Sequence, residues 1–393
     1  EALSGRLPGV NVTTADGEPG ADVRIRVRGG GSISQDNSPL YVVDGFIVSD
    51  INDIPPNDIA SIDVLKDAAA TAVYGAQASN GVIVVTTKNP VEGKITVSYN
   101  NFIKFNTLPE ERKYDVLSPY EFALANYEHS ILQGESRLRS FEKFFGVYDD
   151  LELYRAKQAT DWQDELFGET RISQYHNLTI GGGTEMTKVN LSVSHNDEEG
   201  LLDNSGFERT AINFKLNQKI SDKLNFDAST RITQSIRTGT GVNVKSAVQT
   251  RPVNGIADEL DIDFTGGGAV GGGDDFQQFI ESLITPVELI TKQNWRERIQ
   301  NRYVFNASLS YQIFDDLQLK STYTTQKEFE KDLRFWGPLT GESFNNGGNM
   351  PLGHRTITES DSYRWFNTIN YKKDWGDSKM DLLVGQEVSG SGG

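Results

Sequence analysis

The chain has 393 residues, room for two or three domains, and carries 38 Lys+Arg against 55 Asp+Glu; the formal net charge of -17 repels polyanions and argues against nucleic-acid binding as its main function. It has no cysteine, which excludes disulfides, thiolate metal sites and thiol redox chemistry, and no run approaches the ~18 apolar residues of a membrane-spanning helix. A hydrophobic content of 37% still admits a β-barrel, in which only every second strand residue faces lipid, and 14 Tyr, 20 Phe and 38 Gly suit one.

Residues 1–90 read as a small α/β domain. Residues 1–10 carry neither a basic nor an apolar leader segment, and processing or truncation is expected to have removed what preceded them. Val23, Ile25 and Val27 alternate with Arg24, Arg26 and Arg28, the period of a half-buried strand, which ends at Gly29, Gly30 and Gly31. Leu40 to Val43 runs into Asp44-Gly45, a strong hairpin signal, and Phe46 to Val48 can return beside it. Pro55-Pro56 breaks the chain before another apolar run at 62–65. Asp67 is placed to cap a short helix over 68–74 that Gly75 ends, and Gly81 opens a β-branched strand over 82–87. The polar loops 32–37 and 49–53 lie between these strands. They supply candidate ligand contacts at an outer cavity: Ser32, Ser34, Gln35, Asp36, Asn37, Asp50, Asn52 and Asp53.

After Pro90 the texture changes to long segments of period-two alternation, at 94–105, 174–181, 187–195, 207–219, 223–236, 299–313, 316–327, 362–373 and 378–388. Short polar turns around Asp222-Lys223, Asp315-Asp316 and Gly376-Asp377 alternate with long connections at 106–173, 237–298 and 328–361. That asymmetry is the one expected of outer-membrane barrels. Residues 91–393 are therefore expected to form about the first nine strands of a large antiparallel transmembrane barrel. Lipid would not tolerate an unpaired edge, so this barrel is expected to continue beyond the chain. Within the first long connection, Ser118 and Glu121 have capping-box spacing and predict a short helix. Tyr148, Tyr154, Trp295, Phe335 and Trp336 fall in the long connections, where aromatic rings can stack on a ligand, whereas Tyr363 and Trp365 suit a lipid-interface girdle, a reading equally open for Trp336.

Catalysis finds no support. His129, His176, His195 and His354 lie in no ligand spacing. The run from Gly29 to Ser32 lacks the Lys and the following helix of a phosphate loop. No enzyme activity and no cofactor are expected, with one candidate exception: calcium in a surface loop at Asp197-Glu198-Glu199 or Asp274-Asp275, where a solvated acidic loop is the commoner reading.

Three stretches of the first domain resemble the plug motif of the SusC/RagA family of TonB-dependent outer-membrane transporters. They are Ser38 to Gly45, with Pro39, Tyr41, Asp44 and Gly45; Asn57 to Gly75, with Lys66, Asp67, Tyr74 and Gly75; and Ser79 to Lys88, with Asn80 and Gly81. Asp161 to Phe167, the pair from His176 to Leu201, and Leu383 to Glu387 are similar to barrel segments of the same family. The resemblance implies a plug in the lumen of a barrel of about 22 strands, incomplete here at both ends. It implies an outer-membrane location in a Bacteroidota-type Gram-negative bacterium, with import of a glycan or peptide under a SusD-like surface lipoprotein lid. Energy would come from TonB of the TonB-ExbB-ExbD complex through a segment missing from this chain. A pair of importers, each with its lid, is the implied assembly. In that setting the Arg24, Arg26 and Arg28 stripe is read as pairing with acidic residues of the barrel wall rather than holding an anion. The alternative reading is a SusC-like scaffold subunit without import activity.

Overall fold

The computed structural model describes residues 10–14, 18–21, 23–27, 38–48, 50–66, 78–240, 248, 250–253, 255, 293–338, 340–348, 350–376 and 378–393. The short first strands β1 (Val10–Thr14) and β2 (Val23–Val27) pair antiparallel with Val12 opposite Ile25. Beside them lies a four-stranded sheet in the order β4-β3-β6-β5, made of β3 (Leu40–Val43), β4 (Phe46–Val48), β5 (Ile59–Leu65) and β6 (Val82–Thr87). Its two central strands, β3 and β6, run parallel. Both are continuous apolar runs because both faces are covered. Ile25, Val27, Tyr41, Val43, Ile83 and Val85 pack on one side, and Val42, Ala78 and Val82 on the other.

The predicted hairpin is present, with Asp44 and Gly45 at φ 52° and 90°, values that Asp tolerates and Gly favours in a two-residue turn. Asp44 also ties the end of β6 to that turn: its carboxylate accepts from the Thr87 N–H at 2.8 Å and the Thr87 hydroxyl at 2.6 Å. Gly81 is required where it stands, since its φ is +89° and a Cβ there would meet Val27 Cγ1 at 3.0 Å. The helix predicted over 68–74 and the triglycine at 29–31 lie outside the described residues.

The rest of the chain builds one nine-stranded antiparallel sheet in sequence order. Its strands are β7 (Gly93–Asn106), β8 (Arg171–Gly183), β9 (Thr187–Glu199), β10 (Gly206–Ser221), β11 (Leu224–Gly239), β12 (Asn294–Phe314), β13 (Leu317–Trp336), β14 (Leu352–Trp375) and β15 (Ser378–Gly392). Each overlaps one of the nine alternating segments. β7 and β15 are its edges, so the sheet is an open arc of barrel. No described helix is long and apolar enough to cross a membrane.

Two of the expected long connections are shorter than read, because β12 starts at Asn294 and β13 runs to Trp336. The alternation that marks a strand in lipid is lost where both faces are polar. There Arg296, Arg298, Glu330 and Asp332 continue the ladder with cross-strand ion pairs in place of apolar residues.

Alternation gives the sheet two chemically opposite faces. One exposes Tyr303, Phe305, Leu309 and Tyr311 of β12 with Tyr363, Trp365 and Ile369 of β14, an apolar surface far too large to leave in water. The other carries Ser192, Asn213, Lys215, Arg231 and Arg302, all of which touch the small domain. The small domain therefore lies on the lumen side of the arc.

Residues 107–170 hold a helical insert, with α1 (Pro119–Gln133), α2 (Glu135–Phe145), a 3-10 segment at Tyr148–Ala156 and α3 (Trp162–Phe167). Tyr154 is fully buried in its core with Ala123, Phe141, Leu151 and Val253, its hydroxyl donating to the Phe145 carbonyl at 3.0 Å. It is a packing residue and not an open stacking surface. The capping box is formed: the Ser118 hydroxyl oxygen accepts from the Glu121 N–H at 3.3 Å, and the Glu121 carboxylate accepts from the Ser118 N–H at 3.0 Å. Ser118→Ala is expected to destabilise the first turn of α1 by ~1 kcal/mol, read as faster amide exchange there with the barrel strands unchanged.

Candidate functional site

The small domain meets the wall through a seam of charges, and the polarity of that seam is acid on the domain side and base on the wall. Pro55 and Pro56 force a 3-10 turn, Pro56–Asp58, that drives Asp58 into the wall. Its backbone carbonyl accepts from the Lys88 N–H at 2.8 Å, while its carboxylate accepts from the Ser192 hydroxyl at 2.6 Å and from the Asn213 amide. Burial pushes the Asp58 pKa up from 3.8, against the opposing pull of Ser192, Asn213, Lys88 and Arg231.

The loop before that turn is held by three arginines on three neighbouring strands. Arg231 of β11 pairs with Asp53 at 2.9 Å. Arg302 of β12 pairs with Asp50 at 2.7 Å, with Glu328 of β13 at 2.8 Å and with Asp53 at 3.7 Å. Arg209 of β10 donates to the Asn52 carbonyl at 2.5 Å. Arg302 and Asp53 are 9% and 8% exposed, so within the seam Asp53 is neutralised chiefly by Arg231 and Arg302 chiefly by Asp50 and Glu328. Below them Lys215 pairs with Asp44 at 2.9 Å and reaches the Asn89 side chain at 3.1 Å. Arg237 donates to the Gly20 carbonyl. A small cavity of about 40 Å³ lies within the seam among Asp44, Asp58, Asn213, Lys215 and Arg231. A wider cleft of about 590 Å³ opens at the outer rim among Glu198, Asp203, Phe207, Glu208, Arg296 and Glu297.

The candidate ligand contacts divide three ways. Ser32, Ser34, Gln35, Asp36 and Asn37 lie outside the described residues. Asp50, Asn52 and Asp53 are brought together, but by wall arginines. The aromatic trio is split by strand parity. Trp295 and Phe335 stand opposite each other with ring centroids 6.0 Å apart, on the face that also bears Tyr303 and Phe305. They therefore point away from the lumen, contrary to the expectation that they line it. Trp336, one residue on, shares the lumen face with Arg302 and Glu328.

Of the motif residues, Pro39 and Tyr41 are buried, Asp44 and Gly45 make the turn, and the Asn80 amide donates to the Ser38 carbonyl at 3.4 Å. Lys66 follows β5 directly and Gly81 precedes β6, while Asp67, Tyr74 and Gly75 lie outside the described residues. Arg26 is exposed on β2, and the side chains of Arg24 and Arg28 lie outside the described set. Asp197 and Glu199 share one face of β9 with Glu198 on the other, and among the described residues no three acids or imidazoles converge as a metal ion requires. Asp274-Asp275 lies outside the described residues. Sequence reasoning missed the wall residues Ser192, Arg209, Asn213, Lys215, Arg231 and Arg302. Their signal was present as the polar half of each alternating strand.

The family model for the TonB-dependent Receptor Plug Domain matches residues 1–82. The TonB-dependent receptor SusC of Bacteroides thetaiotaomicron is 33% identical over 98% of this chain and 39% of its own length. TonB-dependent receptor P3 of Formosa agariphila is 30% identical over 100% of this chain and 37% of its own. Among solved structures, the RagAB peptide importer in its closed-closed state superposes with a TM-score of 0.75 at 21% identity, over 100% of this chain and 46% of that one. The chain thus spans less than half the length of these relatives.

Two substitutions test the seam. Arg302→Ala strands the charges of Asp50 and Glu328, and is expected to cost roughly 3–5 kcal/mol of seating, read as a lower Tm and faster proteolysis of the loop at 50–58. For Asp58 the folded pKa lies above 3.8. The contribution of its neutral form is therefore complete below that value and fades as pH rises through the folded one. Asp58→Asn is expected to flatten the pH dependence of Tm over that rise and to leave neutral-pH stability equal or higher.

Proposed function

The chain belongs to the SusC/RagA family of TonB-dependent receptors, and from that premise we propose that the whole protein actively imports an oligomeric nutrient, glycan or peptide, across the outer membrane. The observation that carries this reading is the seating of the small domain against the lumen face of the arc through Asp44, Asp50, Asp53 and Asp58. A barrel wide enough for an oligomer leaks unless something blocks it, and a folded domain tied to the wall is such a block. Opening a path then means breaking several charge-assisted hydrogen bonds in a poorly hydrated seam. Thermal motion achieves that rarely, so an external energy source fits the construction.

The apolar outward face suits the hydrocarbon of a bilayer, with the long connections on the side away from the tight turns. In this proposal those connections face outward under a SusD-like lipoprotein lid, TonB supplies the pull from the periplasm, and further strands complete the wall. Two such importers, each with its lid, form the assembly. The residues assigned to the protein's own work are seating and gating residues, and no catalytic step is involved.

Deletion of the gene is expected to abolish growth on one oligomeric nutrient while sparing growth on its monomer, with recovery on complementation. Collapse of the proton-motive force is expected to stop uptake by the complemented strain. Undiminished uptake of every oligomer tested, or uptake indifferent to de-energisation, defeats the reading.

A further inference from the structure

Above the seam, the lumen faces of β12 and β13 form a ladder in which bases outnumber the acids that hold them. Its lowest rung is the pair of Arg302 and Glu328, which the acids Asp50 and Asp53 close off. The rungs above remain open. Asp332 accepts from Arg296 Nη2 at 2.7 Å and from its Nε at 3.0 Å, and it also holds Arg334 at 3.4 Å and Arg298 at 3.8 Å. Arg298 further reaches Glu330 at 3.5 Å. Glu18 of the small domain lies within electrostatic reach of Arg296 as well.

Each guanidinium offers about five N–H donors and each carboxylate about four acceptor sites, so Asp332 and Glu330 touch all three forks but cannot satisfy all of their donors. The side chains of Arg296, Arg298 and Arg334 are 38%, 33% and 41% exposed, whereas Asp332 is 13% exposed. The acid is thus the buried brace, and the surplus donors face the lumen. Bracing of this kind lowers the cost of ordering the arginines around an incoming anion. Trp336 follows two residues after Arg334 on the same face of β13, setting an indole beside the forks.

We infer that this shelf is a subsite for acidic oligosaccharides: a uronate carboxylate or a sulfate ester is taken by Arg296, Arg298 and Arg334, and the sugar ring lies on Trp336. Planar guanidinium forks match both anions, and an indole matches the C–H face of a pyranose. An acidic peptide side chain offers the anion without the ring, which is why the sugar is favoured. The inference rests on the import reading and names the substrate class for it.

Calorimetric titration of the detergent-purified full-length receptor tests it, using an oligouronate, a sulfated oligosaccharide, a neutral oligosaccharide of equal length and an oligoglutamate. At least one acidic sugar is expected to bind with an affinity that falls steeply as salt is raised, and the one that binds identifies the anion. The double variant Arg298→Glu/Arg334→Glu is expected to weaken that binding about tenfold or more. Trp336→Ala is expected to weaken the acidic sugar and leave oligoglutamate unaffected. The shelf is ruled out if neither acidic sugar binds, if binding ignores salt, if oligoglutamate binds as tightly, or if the double variant binds normally while still migrating as a heat-modifiable barrel. The salt titration uses the unaltered protein, so it decides the matter even if the double variant does not fold. Receptor-dependent uptake of a neutral oligomer, with no acidic sugar bound, would sink the shelf and leave the import reading standing.

Discussion

Everything about this protein turns on the meeting of aspartates from a small α/β domain with arginines and a lysine from a curved wall. Buried ion pairs of this type gain little over apolar packing of the same volume, because desolvation offsets attraction. What they confer is position and reversibility. Arg209, Arg231 and Arg302 sit on three successive strands and grip the loop that contains Asp50, Asn52 and Asp53, which fixes the domain in one place on the wall. A greasy seam would hold as firmly yet slide among many near-equivalent placements. A charged one releases cleanly once water enters.

The wall shows the same economy of design on its two surfaces. A single alternating pattern supplies aromatic and aliphatic residues to the outward face and hydrogen-bonding partners to the seam on the other. The pairs between Tyr99 and His176 and between His195 and Thr210 belong to the outward set, where polar side chains satisfy one another at 2.7 Å and 3.0 Å. On the inward set the partners lie both within the wall and across the seam. Asn213 and Ser192, directly opposite each other in register, converge on one carboxylate.

Much of this was legible in the amino-acid sequence, for reasons that can be named. The hairpin at Asp44-Gly45 and the capping box at Ser118 depend on local chemistry alone, so reading them needed no neighbour. The nine barrel strands were visible wherever apolar and polar residues alternate cleanly, as from Tyr303 to Tyr311. Their outer ends were not, because Arg296, Arg298 and Asp332 satisfy each other across strands, and a charged run in isolation resembles a loop. Placing Trp295 toward the ligand failed for a related reason: one residue of register separates the lumen from the outside, and only the continuous pairing from Arg302 upward fixes which is which. The seam itself was out of reach, since Asp58 and Ser192 lie 134 residues apart in the chain.

The helical insert between β7 and β8 does not close its core alone. Val253, from the connection between β11 and β12, packs among Ala123, Phe141, Leu151 and Tyr154. The Thr160 N–H donates to the Pro252 carbonyl at 2.8 Å, and the Trp162 indole donates to the Arg251 carbonyl at 2.7 Å. Two surface segments far apart in the gene are therefore one inheritable module. Recombination that exchanges the insert but keeps the old 250–253 segment leaves Val253 without its pocket and the Arg251 and Pro252 carbonyls without their donors. Diversification by shuffling must move both pieces together, or proceed by point changes on the module's outer skin.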